Sequence, residues 1–277
     1  MSPTRVMWRL ELADALRSRW IVFTAAVYSA VFVLFVWLGL RESSVLGFTG
    51  VSRVILNVSN AIVLAVPLVA LVATSQTIVR ARQSGFFELM LSLPVRRRDW
   101  FAGIVASRFV VVVGPLVVLL AAALVYAAVA GEGDAALLPT VLRSLAVTAS
   151  LAWAFIGIGF FVSAHAKTPE RATVLALVAW IGASALHDFA LIGALLRFRL
   201  APAAVFALAA ANPVEAARIA VLGSVDPDLS VLGPVGFWLA NALGPTATLA
   251  VGVAWPALLG TLALCGAARR LSRSDLV

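Results

Sequence analysis

Side chains able to do chemistry are sparse in this chain, and their spacing keeps them apart. The imidazole and sulfur donors are His165, His187, Cys265, Met1, Met7 and Met90. No two stand at ligand-pair spacing, so a metal centre is not expected. Ser163 and His165 are two apart, which on a helix turns them away from each other and argues against a nucleophile–base pair. A P-loop needs a lysine directly after glycine to reach the terminal phosphates. Lys167 is the only lysine, and it follows Ala166. The chain is therefore not expected to hydrolyse ATP through a P-loop of its own, to act as an enzyme or to hold a cofactor. A single cysteine leaves no intramolecular disulfide.

Two stretches stand out. The first is the 79–103 loop, where Gly85, Phe86, Phe87, Glu88, Leu89 and Met90 lead to Pro94 between two arginine clusters. Pro94 disfavours helix at Leu93, so a short helix over 84–93 is expected, lying along the membrane surface. Its aromatic and methionine side chains are expected to face outward, into a groove on a cytoplasmic partner. A helix that merely caps the bundle would carry the same residues. The second is Asp188, the one acidic residue inside an apolar run, with His187 beside it. An unpaired charge there costs about 3 kcal/mol or more, which marks a possible intramembrane polar site. Neighbours on a helix point about 100° apart, so the two do not form a dyad.

The elements that position these residues follow from composition. The chain has 277 residues, 62% of them hydrophobic, only 12% charged, and a mean hydropathy of +1.04. Soluble domains are about half apolar and a quarter charged, so a soluble fold, a secreted disulfide scaffold and a disordered tail are excluded. A bilayer core about 30 Å thick needs about 20 apolar residues per helix. Six runs qualify, at about 21–40, 54–78, 104–130, 141–163, 172–196 and 246–267. They are too long and too uniformly apolar for barrel strands. Pro67, Pro115 and Pro256 lie inside them and predict kinks. The expected fold is an all-α polytopic membrane protein with one transmembrane domain over 1–277.

Orientation follows from the cations. With the N-terminus inside, Arg5, Arg9, Arg17, Arg19, five arginines of the 79–103 loop, Lys167, Arg171, Arg269, Arg270 and Arg273 are cytoplasmic, 14 of the 21. Six fall outside and Arg108 begins the third span. That excess puts both termini in the cytoplasm. The formal charge of +8 thus reports topology, and no nucleic-acid partner is expected. Residues 3–19 read as an interfacial helix with Trp8, Leu12 and Leu16 on one face. The apolar run after them is too long for a cleavable signal. Ala201–Ala211 and Val231–Leu243 are too short to cross and predict re-entrant or interfacial helices between spans five and six.

The order of these parts resembles the permease of type-2 ABC exporters, most closely the NosY-type membrane subunits. The likeness rests on 11–20 before the first span, on Gly85 through Pro94, on Asn212–Pro213–Val214–Glu215–Ala216–Ala217–Arg218 and on 269–276. Ala81, Gln83 and Phe86 depart from the family pattern. The resemblance implies that the 84–93 helix is a coupling helix seated in a separate ATPase, where ATP and Mg would be held. It implies a dimer of this chain with two ATPase chains, in the bacterial cytoplasmic membrane. It implies that Asn212, Pro213, Glu215 and Arg218 form a gate or meet an extracytoplasmic soluble partner. It also implies a role in copper-site maturation of nitrous-oxide reductase, in which the scarcity of donors fits force transmission better than copper conduction. An acidic residue near position 188 is a family tendency, which favours a structural or inter-subunit contact for Asp188. Two rivals come from other classes: a proton-driven secondary transporter using Asp188, and a non-transporting membrane anchor.

Overall fold

The computed structural model describes residues 8–9, 11–13, 17, 19–46, 51–91, 96–129, 137–225, 229 and 233–273. All regular structure among them is helical. A bilayer offers its backbone no water, so helices satisfy N–H and C=O groups internally. The helices are α1 Arg19–Leu46, α2 Val51–Thr74, α3 Thr77–Gln83, α4 Phe86–Leu91, α5 Arg97–Val129 and α6 Leu137–His165. Then come α7 Pro169–Ile181, a π-helical turn Gly182–Leu186, α8 His187–Arg197, α9 Pro202–Ala210, α10 Pro213–Val225, α11 Gly233–Ala242 and α12 Gly244–Arg273.

All six expected spans fall on helices. Five stretches are long and apolar enough to cross a membrane: Ala61–Gln83, Arg97–Val125, Leu137–His165, Pro169–Arg197 and Gly244–Arg273. The first span lies on α1, whose apolar stretch includes Ile21–Leu34. Helices α2, α5 and α12 run through Pro67, Pro115 and Pro256 without a break. Two boundaries differ from expectation. Helix α5 starts at Arg97, so Arg108 lies about 16 Å along it rather than at its start. Helix α12 continues to Arg273, so the terminal arginines sit on helical turns. Apolar runs mark the lipid-facing length, whereas helices go on into the polar zone wherever backbone bonds can be completed.

Helix α6 is the centre of the bundle. It packs against α12, α2, α10 and α5, and most extensively against α12. That contact depends on absent side chains. A Cβ at Gly260 would lie 2.5 Å from the Trp153 carbonyl oxygen, and one at Gly157 would lie 2.9 Å from the Gly260 Cα. In lipid, where apolar surface alone drives no association, such close backbone packing holds helices together. Across the same seam, Ser150 Oγ donates to the Val253 carbonyl and Trp153 Nε1 donates to Thr261 Oγ1.

The sequence reading missed α10. It has only 13 residues and carries Glu215 and Arg218, so hydropathy hides it. Its Val214, Ala217, Ala220 and Val221 are nevertheless buried in the main core. It packs on α12 where Gly252 meets Ala216 and Ala220. Helices α9 and α10 form a bent pair at 116°, in keeping with the re-entrant helix expected at Ala201–Ala211. Helix α11 occupies the second short stretch.

Candidate functional site

The predicted site residues gather at two ends of the bundle. At one end, Trp100 Nε1 donates to Glu11 Oε1 (3.2 Å), Arg97 Nη1 donates to the Leu271 carbonyl (3.3 Å) and Arg82 Nη2 to the Ala164 carbonyl (3.3 Å). These bonds bring the N-terminal segment, the 79–103 loop and the ends of α6 and α12 together. The arginines meet helix C-termini, where exposed carbonyls favour cations.

The short helix expected over 84–93 is α4, at this arginine-rich end. Its entry needs Gly85, whose φ of 71° is a left-handed conformation that other residues adopt at a cost. Helix α3 ends there, with Ser84 N–H bonded to the Arg80 carbonyl. The outward placement of both phenylalanines is corrected. Phe87 is 2% exposed and packs edge-on against Trp100, with centroids 5.1 Å apart. Phe86 is half-buried against the same indole at 5.9 Å. A six-residue helix on a packed platform has two faces, and the indole of α5 claims the aromatic one. Leu89, about 160° round the helix from Phe87, is 65% exposed. The side chains of Glu88 and Met90, and all of Pro94, lie outside the described residues.

The opposite end gathers residues that the sequence treated as two separate sites. Arg218 Nη1 of α10 stands 3.4 Å from Asp188 Oδ2 of α8 and 2.5 Å from Glu215 Oε1. Asn212 is buried; its Oδ1 accepts from the Val214 N–H at 3.0 Å, capping α10 with Pro213 in the first helical position. Its Nδ2 donates to the Ala183 carbonyl at 2.6 Å. Ala183 lies in the π-helical turn, where the backbone register slips and carbonyls become available to outside donors. So one short polar segment holds both the hinge-like turn and the charge beyond it. The Nε2 of His187 is buried and has no hydrogen-bond partner among the described residues. A second small core of Ala209, Ile219, Leu222, Leu229 and Leu239 surrounds this end. The sequence signal that could have found the site was Asn212–Pro213 followed by Glu215, a helix start with an acidic first turn.

A helical bundle with five, or up to six, candidate spans among the described residues is the architecture of an all-α multi-pass membrane protein. Residues 6–276 match the ABC-2 family transporter protein, and the chain belongs to that family. It is the membrane subunit of an ABC transporter, a multi-pass protein of the cytoplasmic membrane in bacteria, in a family whose permeases partner an ABC ATPase subunit. Two relatives are each described as a probable ABC transporter permease protein NosY. One, from Pseudomonas aeruginosa, is 28% identical over 264 residues, covering 89% of this chain and 96% of the relative. The other, from Stutzerimonas stutzeri, is 25% identical over 255 residues, covering 91% and 90%.

Proposed function

We propose that this chain couples ATP binding and hydrolysis by a separate ATPase subunit to a conformational change across the membrane. The ATPase would hold ATP and Mg, and α4 would be its coupling helix. The observation that carries this reading is the two-faced seating of α4: Phe87 is locked onto Trp100, while Leu89 faces outward. A helix that merely capped the bundle would turn its apolar residues inward on every available face. The working unit is two copies of this chain with two ATPase chains. The hairpin end, with Asn212, Pro213, Glu215 and Arg218, is the region that changes and meets an extracytoplasmic soluble partner. The process served is proposed to be copper-site maturation, on the resemblance of the sequence motifs to NosY-type permeases. Asp188 serves as a structural anchor, a reading supported by the pairing of its Oδ2 with Arg218 Nη1 across α8 and α10.

The test is purification of the tagged chain in mild detergent from membranes that also make its ATPase. Leu89→Asp is expected to abolish retention of the ATPase while leaving the size-exclusion profile and melting temperature of the permease unchanged. Undiminished retention would overturn the docking role of α4.

A further inference from the structure

We infer that α3, rather than the continuous body of span two, carries movement of α4 into the bundle, and that Ser163 is the positioning residue for this transfer. The inference rests on the coupling reading of α4. Span two is interrupted at Ser75–Gln76, and α3 begins anew at Thr77. A new helix start leaves backbone N–H groups without intrahelical partners. Gln76 makes no side-chain cap. The cap comes from another helix: Ser163 Oγ of α6 accepts from the Ile78 N–H at 2.9 Å and the Val79 N–H at 3.2 Å. Ser163 is fully buried, as are Ile78 and Val79.

Three further contacts clip α3 and its entry to α6 and α7, against one long side-chain bond back to α2, from Thr77 Oγ1 to the Ala73 carbonyl at 3.5 Å. Arg82 donates to the Ala164 carbonyl, one residue beyond the cap. Gln76 Nε2 donates to Thr173 Oγ1 of α7 at 2.5 Å. Val79 is buried against Ala166 and Ala172, which flank the α6–α7 turn. On the α2 side of the interruption, Thr74 occupies the space where a Cβ at Gly159 would stand, so α6 can lie this close only with glycine there. A cavity of about 190 Å3 opens beside the interruption, lined by Leu71, Ser75, Gln76, Arg80, Thr173 and Leu177. Room next to an interrupted helix lets one segment shift without repacking the other. Helix α3 leads directly through Gly85 into α4. A push on α4 therefore meets α6 and α7 first, and α7 continues through the π-helical turn to Asp188 at the far end.

The experiment uses the complex of this chain with its ATPase, reconstituted in lipid nanodiscs. Spin labels at Leu196 and Leu208, both exposed and at the far end, report whether ATP trapping changes their distance. The wild-type complex is expected to show a shift. Ser163→Ala is expected to keep ATPase retention and ATP hydrolysis yet lose at least half of the shift. Ser163→Thr, which restores the hydroxyl, is expected to recover it. Thr173→Val keeps shape and removes the Gln76 acceptor together with the bond that the Thr173 hydroxyl donates to the Pro169 carbonyl within α7, and it is expected to give a smaller loss. It serves as the second variant should Ser163→Ala fail to fold. A full shift in Ser163→Ala, or in Thr173→Val where only that variant folds, would overturn this inference and leave the coupling reading standing. No shift in the wild-type complex would overturn both.

Discussion

The two ends of the bundle are built from different interactions. At the arginine-rich end, the short helix α4 and its surroundings are held by ring packing and by side chains that cap helix termini: Phe86 and Phe87 on Trp100, Arg97 on the end of α12, Ser163 on the start of α3. At the hairpin end, a cation stands between two carboxylates, and an asparagine bridges two helices through one carbonyl. Ring packing is short-ranged and depends on shape, so it transmits displacement. Partly exposed ion pairs contribute little net stability, because desolvation and side-chain ordering offset the attraction. They can exchange partners at small cost. The difference teaches where a force would enter stiffly and where the structure would yield.

That contrast can be broken most directly at Trp100. Trp100→Ala removes the platform under α4, and buried aromatic truncations cost about 3–5 kcal/mol. The expected result is a large fall in melting temperature in detergent together with loss of ATPase retention. An unchanged melting temperature would mean that the ring cluster does not stiffen this end. Arg218→Ala should cost less, about 1–3 kcal/mol, since Asp188 and Arg218 are roughly one-third exposed and sit between the exposed and buried limits. It leaves Glu215 and Asp188 without their cation, so adding Asp188→Asn should recover part of the loss. A double variant less stable than Arg218→Ala alone would refute the charge account. Asn212→Ala is the mildest of these. Loss of a helix cap costs about 1 kcal/mol. Hydrogen exchange should rise at the start of α10 and around Ala183 together; a rise confined to α10 would show that the bridge to the π-helical turn does not hold it.

Much of the architecture was legible in the chain. The spans were readable because a bilayer demands about 20 apolar residues per crossing and the sequence shows that period plainly. Gly85 and the short apolar segment before Pro94 marked α4 for a similar reason: turns and helix ends have local chemistry. Helix α10 did not stand out, because 13 residues containing Glu215 and Arg218 resemble a solvated loop until the helices around them supply a core. The facing of Phe87 was also invisible, since a short amphipathic helix does not state which neighbour will cover which face.

The amino-acid sequence by itself determined that this protein lives in a membrane, that it is helical throughout its described length, where its cations gather and where a short helix follows Gly85. Those properties depend on composition and on contacts a few residues apart. Only the tertiary structure decided that Asp188, Glu215 and Arg218 form one group, that Asn212 reaches Ala183, and that Ser163 caps a helix 84 residues before it in the chain. Each joins residues that local patterns treat as unrelated. The physical reason is that a buried donor or acceptor must find a partner wherever packing puts one.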